Sequence, residues 1–163
     1  REAWRQFKDP IARVINCVDQ SVRLNEREFG DGIRLLASPP GGVPFGPRLN
    51  LTFSFHLAHV IKNGEERMTT HRYTFTIQNA DTAERVFAWH WHPKSRRSKV
   101  KYPHVHIPAA APYSTSHVPT GRVCLEDVIL FGFEDLGVMP TVDDAERIVI
   151  EVRDRHKLHR GWH

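Results

Sequence analysis

The sequence predicts a single α+β domain in which an antiparallel sheet of four to six strands carries helices on one face. Three patterns predict this fold class. Apolar residues follow helical spacing near the N-terminus, alternate with polar residues from position 49, and return to helical spacing after position 123. At 163 residues, the chain fits one domain that buries a core without help from disulfides or metal.

The N-terminal region, residues 1–37, is predicted to be helical. Asp9 and Pro10 suit the N-cap and first position of a helix that starts or restarts there. Residues 38–47 are rich in Pro and Gly, which cannot continue a helix or a central strand, so a loop is expected. The helical stripe consists of Trp4, Phe7, Ile11, Val14, Ile15, Val18 and Val22.

Residues 48–108 are predicted to form a β-meander, because their apolar and polar side chains alternate with the period of a strand. The pair Asn63-Gly64 is typical of a hairpin turn whose central residues have positive φ. In the first two strands, the side chains expected to face the core are those of Leu49, Leu51, Phe53, Phe55, Tyr73, Phe75 and Ile77.

Two further strands are predicted to place four histidines on one surface. One-residue spacing puts His90 and His92 on the same face of the third strand, while the tryptophans of that strand point into the core. The same spacing puts His104 and His106 on one face of a short fourth strand. If these strands pair, all four imidazoles lie together.

The C-terminal part of the chain, residues 123–159, is predicted to contain two helices. The first runs from Val123 to Gly137, which is suited to end it in a left-handed conformation. The second starts at Thr141-Val142-Asp143-Asp144 and runs toward His159.

Positive charge is concentrated in one window, residues 85–122. This window holds seven Lys or Arg residues, five His residues and neither Asp nor Glu. It contributes +7 to a formal net charge of +4, so the rest of the chain sums to −3. Such asymmetry favours a polyanionic partner, and we expect a nucleic acid, with RNA preferred.

The histidines predict a catalytic site for metal-independent cleavage of RNA. One imidazole can deprotonate a ribose 2′-hydroxyl, a second can protonate the leaving oxygen, and cations can stabilise the transition state. We assign the acid and base roles to His104 and His106, while His90 and His92 position or share that task. No cofactor is needed by this mechanism.

Two alternative interpretations of the same histidines stay open. His90, His92, His104 and His106 are also suited to bind Zn²⁺ in a metal-dependent hydrolase, although no carboxylate and many cations surround them. Alternatively, they form a solvated polar face. A different class of function also stays open, in which the protein is a non-catalytic subunit whose basic face binds nucleic acid or another protein.

Cations next to the histidines are predicted to hold the substrate phosphates, with Tyr102, Trp89 or Trp91 available to stack on bases. Thr120-Gly121-Arg122 precedes a predicted helix and is suited to offer a hydroxyl and a guanidinium to a phosphate. The complete predicted substrate-binding set is Arg72, Lys94, Arg96, Arg97, Lys99, Lys101, His117, Thr120 and Arg122.

A cytoplasmic location is expected. Cys17 and Cys124 have neither metal-ligand nor redox spacing, which suits a reducing compartment. No apolar run approaches the roughly 20 residues that span a bilayer, so no membrane association is expected.

Three segments and the helix predicted after them form one pattern: Arg72-Tyr73-Thr74-Phe75, Val86-Phe87-Ala88-Trp89 and Tyr102-Pro103-His104-Val105-His106. Through this pattern, residues 70–138 resemble the TumE-like toxins of bacterial toxin-antitoxin pairs. The resemblance implies a small toxin or toxin-derived defence protein that acts on RNA or another nucleic acid, usually beside a DNA-binding antitoxin partner. It also implies that His104 and His106 lie near the functional centre.

Overall fold

The computed structural model describes residues 2–160, which form three helices and an antiparallel sheet of eight strands. The helices are α1 (Glu2–Asn16), α2 (Leu125–Asp135) and α3 (Ala145–Arg160). The strands are β1 (Asn25–Glu28), β2 (Ile33–Ala37), β3 (Val43–Pro44), β4 (Leu49–Lys62), β5 (Glu65–Asn79), β6 (Arg85–Trp91), β7 (His104–His106) and β8 (Val118–Pro119).

The sheet order is β1-β2-β4-β5-β6-β7-β8, and β3 pairs with the beginning of β4. The predicted α+β class is confirmed. The predicted strand number was too low, because short strands lie at both sides of the meander. Within residues 2–160, none of the helices combines the length and apolar character needed to traverse a bilayer.

The N-terminal region departs from the prediction, because it is helical only as far as Asn16. Beyond the helix, Asp19 stabilises a turn by accepting a hydrogen bond from the Ser21 backbone N–H at 2.8 Å. β1 and β2 follow and extend the sheet beyond β4. The helix also begins at Glu2 and passes through Pro10 without interruption, rather than starting there.

The predicted loop 38–47 contains the two-residue strand β3, which was missed. Val43 and Pro44 pair with Leu51 and Asn50 at the beginning of β4. Proline is tolerated there because so short a strand needs few backbone donors.

The core lies between the helices and one face of the sheet. The meander residues predicted to face inward are buried there, apart from Leu49 and Trp89, which are half-buried. A β-bulge at His71 shifts the pairing, so that Arg72 lies opposite His56 whereas Thr70 lies opposite the buried Leu57. The sheet face turned away from the helices is called the open face below.

The C-terminal helices form as predicted, with shifted boundaries. Gly137 adopts φ 69° just after α2, as expected for a helix stop. α3 begins only at Ala145, because Thr141 instead binds the end of α1: its hydroxyl donates to the Asn16 carbonyl at 2.5 Å. In α2, the fully buried Glu126 faces His156 of α3.

Candidate histidine site and its basic rim

Pairing of β6 with β7 brings three histidines together on the open face. His90 lies directly opposite His104, and His106 lies opposite the small, buried Ala88. The ring centroids of His90 and His106 are 5.0 Å apart, and those of His104 and His106 are 5.1 Å apart. Alternation along both strands therefore produces the arrangement that the sequence predicts.

His92 and His117 complete a continuous group of imidazoles. His117 precedes β8, which pairs with β7, and its ring centroid lies 4.8 Å from that of His104 and 4.7 Å from that of His106. His92 follows β6 and lies 5.5 Å from His90. We call these five residues the histidine cluster: His90, His92, His104, His106 and His117.

His104 is the most buried member of the histidine cluster, with 3% of its surface exposed. Its Nδ1 lies 3.0 Å from the Tyr102 carbonyl oxygen, which can only accept a hydrogen bond. His104 must therefore carry its proton on Nδ1, and in the neutral ring Nε2 keeps a free lone pair. In residues 2–160, the buried Nδ1 atoms of His92 and His106 have no hydrogen-bond partner.

Burial lowers the pKa of His90 and His106 to about 4. Repulsion from the neighbouring imidazoles adds to this effect, as does the Arg85 guanidinium. The pKa of His92 is lowered as well, first by burial and then by Arg72. At neutral pH these three rings are uncharged, and each offers a nitrogen lone pair rather than a proton.

The arrangement is compact enough to suit a metal ion. One ring nitrogen from each of His90, His104 and His106 lies within 4.8 Å of the other two. The four-histidine set predicted as an alternative metal site also includes His92, which lies outside this group. The candidate metal ligands in the structure are therefore the other three histidines.

A basic loop, residues 92–103, connects β6 to β7 and borders the histidine cluster. Ser95 and Ser98 shape this loop through hydrogen bonds to its backbone, and the Lys101 ammonium donates to the Ser95 carbonyl. The remaining four cations are exposed and make no hydrogen bond or ion pair with any part of the chain that the structure describes: Lys94, Arg96, Arg97 and Lys99.

Arg72 extends the site along the open face beside His56. Its Nη2 lies 3.3 Å from Nδ1 and 3.2 Å from Nε2 of His56. The ring of Phe29 also stacks on this imidazole, at a centroid distance of 6.4 Å. The sequence places His56 on the polar side of β4, but only pairing with β5 shows that Arg72 is its neighbour.

The structure does not bring Arg122 to the histidine cluster. Its guanidinium lies 3.8 Å from the centre of the Trp91 ring, which belongs to the core side of the sheet. The buried Thr120 hydroxyl also points away from solvent, so neither group is presented as predicted. Trp89 packs against Phe131 of α2, which leaves Tyr102, 46% exposed, as the aromatic available for base stacking among the three predicted.

Tyr73 ties the sheet to the segment before α2 and should make the fold sensitive to alkaline pH. Its hydroxyl accepts a hydrogen bond from the Val123 backbone N–H at 3.0 Å. Burial raises the pKa of Tyr73 to about 12. The unfolded chain loses this proton near pH 10. Between these values the unfolded state binds fewer protons than the folded state, so the free energy of unfolding should fall as pH rises.

Between about pH 10 and pH 12, the free energy of unfolding should fall by about 2–3 kcal/mol because of Tyr73. Urea denaturation at pH 9 to 12 measures this loss. The variant Tyr73→Phe cannot ionise at this position, so its free energy of unfolding should fall less steeply with pH. An identical slope in both proteins would contradict the assigned burial effect.

Searches against protein-family models, curated proteins and solved structures find no match for this chain. The resemblance to TumE-like toxins stays a prediction.

Proposed function

We propose that this protein binds RNA on the open face and cleaves its phosphodiester backbone at the histidine cluster. The observation that carries the proposal is the meeting of five imidazoles beside four exposed cations that have no partner among residues 2–160. Imidazoles are suited to proton transfer or metal binding, and flexible cations are suited to hold phosphates. This combination matches the needs of phosphodiester chemistry.

A merely solvated polar face fits these contacts less well. Solvated histidines have no reason to crowd together, whereas these rings contact one another at centroid distances of 4.7–5.6 Å. The buried Nδ1 of His106 has no hydrogen-bond partner in residues 2–160, which disfavours the folded state. Unfavourable polar burial of this kind is commonly retained where it serves a functional site.

The cations define how the substrate would lie. The basic loop joins β6 to β7, so a backbone bound to it passes directly beside His90 and His104. Asp and Glu are absent between residues 85 and 125, and therefore no carboxylate of this segment repels the phosphates. Tyr102 contacts His104 at a centroid distance of 6.1 Å and is placed to stack on a base next to the cleaved bond.

The predicted cytoplasmic location agrees with this proposal. Cys17 and Cys124 are free thiols, as is usual in a reducing compartment. An antitoxin partner, implied by the resemblance, remains a prediction of the same hypothesis.

The proposal predicts that the variant His106→Asn loses RNA cleavage. Asn keeps a polar side chain of similar size but removes the ring nitrogens that contact His90, His104 and His117. We expect cleavage of a structured RNA of mixed sequence to fall by at least 100-fold, a typical loss when a proton-transfer group is removed. The measurement compares initial rates at equal protein concentration, after circular dichroism has shown that both proteins are folded.

The matched control is His59→Asn. His59 is an exposed histidine of β4 that pairs with Glu66 at 3.3 Å and takes no part in the cluster. The variant His59→Asn should cleave RNA at the wild-type rate. If both variants cleave like wild type, the catalytic assignment is wrong. If the wild-type protein binds RNA without cleaving it under any metal condition, the protein is instead the non-catalytic binding subunit.

A further inference from the structure

We infer that His90, His104 and His106 bind one divalent transition-metal ion of the Zn²⁺ class. The inference concerns the same site as the proposed function and rests on that proposal for its chemical role, but the ion-binding geometry stands independently. Its starting point is the close approach of three ring nitrogens, one from each residue.

The three nitrogens need only a small contraction to coordinate an ion. Zn²⁺ binds histidine nitrogens at about 2.0–2.1 Å. An ion at the centre of a triangle whose sides are the limiting 4.8 Å would lie about 2.8 Å from each corner. Movement of each side chain by about 0.7 Å therefore completes the coordination, which is within the reach of rotations about the side-chain bonds.

The surroundings of the ligands favour an ion as well. A metal-bound histidine usually donates its second nitrogen to a carboxylate or a backbone carbonyl. His104 already does so, since its Nδ1 donates to the Tyr102 carbonyl at 3.0 Å and frees Nε2 for an ion. This carbonyl removes the objection, raised from sequence, that no carboxylate is present. The buried Nδ1 of His106 has no hydrogen-bond partner in residues 2–160, so no hydrogen bond has to be broken if the ring offers this nitrogen to an ion.

The positive charges around the three histidines disfavour a bound metal ion less than the sequence indicates. The basic-loop cations are exposed to solvent, where water and salt screen their repulsion. Arg85 does repel positive charge at His90 and His106, but its guanidinium donates to the carbonyls of Ile107 and Ser114, whose partial negative charge offsets part of this repulsion. A bound phosphodiester would add compensating negative charge.

The donor set selects the class of ion. Three imidazoles without a carboxylate suit Zn²⁺, Co²⁺ or Ni²⁺, whereas Mg²⁺ and Ca²⁺ prefer oxygen ligands. Three protein ligands also leave a fourth position, as in catalytic zinc sites. The exposed His117 contacts both His104 and His106 and marks the side from which solvent or a phosphate oxygen would reach that position. An ion there would polarise the phosphate as a Lewis acid.

The test is a metal titration of the full chain, prepared without an affinity tag and stripped with chelator. Zn²⁺ binding is measured by calorimetry, and Co²⁺ binding by the visible absorption that reports coordination geometry. We expect one ion per chain, with the absorption of a four- or five-coordinate site and no binding of Mg²⁺. His90→Asn and His106→Asn should each weaken binding about 100-fold or more, since even loss of an outer-shell partner costs 10–100-fold.

His59→Asn serves as the control, because other histidines of the chain can bind metals loosely. It should retain wild-type affinity. Absence of stoichiometric binding, or equal affinity in the cluster variants and the control, would overturn the inference. Cleavage assays separate this result from the proposed function: cleavage in EDTA by a chain that also fails to bind the ion in the titration rejects the metal site alone, whereas a bound ion without cleavage rejects the nuclease alone.

Discussion

Neutralising the basic loop should abolish most of the salt dependence of RNA binding. The variant replaces four cations by Gln: Lys94, Arg96, Arg97 and Lys99. If each cation contacts one phosphate of a single strand, the logarithm of the binding constant falls with the logarithm of salt with a slope of about −2.8. Wild-type affinity should therefore drop about 50-fold between 50 and 200 mM salt, whereas the variant should respond only weakly.

The structure explains why these four cations are chosen and Lys101 is not. The four are exposed and have no partner within residues 2–160, so they can reach phosphates without breaking an existing contact. Lys101 instead donates to the Ser95 carbonyl and holds the loop closed. Its replacement would change the loop conformation as well as the charge, which would confuse the measurement.

The control must change the net charge equally at another place. Replacing Lys62, Arg67, Arg147 and Arg155 by Gln does so on the hairpin end and on α3, where three of them form ion pairs. Fluorescence anisotropy with a labelled oligonucleotide, measured at five salt concentrations, gives both slopes. If the salt dependence of RNA binding decreases equally in both variants, then overall charge, rather than the basic loop, determines binding.

The histidine face could be predicted from sequence because it depends on local alternation. One-residue spacing fixes that His90 and His92 share a face, and likewise His104 and His106, whatever the rest of the chain does. Adjacent strands joined by a connecting loop commonly pair, and here β6 and β7 do. The existence of the cluster follows from these two regularities.

Other parts of the site depend on long-range packing and were not predictable in the same way. Alternation does not reveal that Arg122 turns toward Trp91, because that contact joins the end of a strand to a later loop. The strands β1 and β2 were missed for a similar reason. β1 has the exposed, charged sequence Asn-Glu-Arg-Glu, and it forms by pairing with β2 rather than by burying an apolar face.

Composition likewise could not separate free cations from engaged ones. The charged window contains seven Lys or Arg residues. In the folded protein, Arg85 binds two carbonyls and Lys101 binds a third, while Arg122 packs on an aromatic ring. The exposed cations that have no partner in residues 2–160 are thus a subset of the window, and the backbone path of residues 92–103 defines which ones they are.

The variant Phe75→Ala should lower the free energy of unfolding by about 3–5 kcal/mol, the usual range for a buried phenylalanine. Phe75 is 0% exposed in the middle of β5. Its ring lies 4.7 Å from that of Tyr73 and 5.3 Å from that of Phe55. Truncation leaves a cavity that these large rings cannot fill, because neighbouring strands fix their positions.

Phe29→Ala is the matched control for this truncation. Phe29 is 41% exposed and stacks on His56 at the margin of the open face, so its loss should cost no more than about 1 kcal/mol. Urea denaturation at neutral pH measures both values. A similar cost for the two variants would contradict the assignment of Phe75 to the centre of the core.

The effect of Phe75→Ala should extend to the histidine cluster through the sheet. Phe75 lies opposite Trp89 of β6, and the adjacent Thr74 lies opposite His90. A cavity beneath this pairing loosens the strand that presents His90 to His104. Because metal coordination requires three nitrogens to converge, the folded fraction of this variant should also bind Co²⁺ more weakly, whereas Phe29→Ala should bind it normally. A loss of stability without any loss of metal affinity would show that the geometry of the cluster is fixed by β7 and β8 rather than by the core beneath β5 and β6.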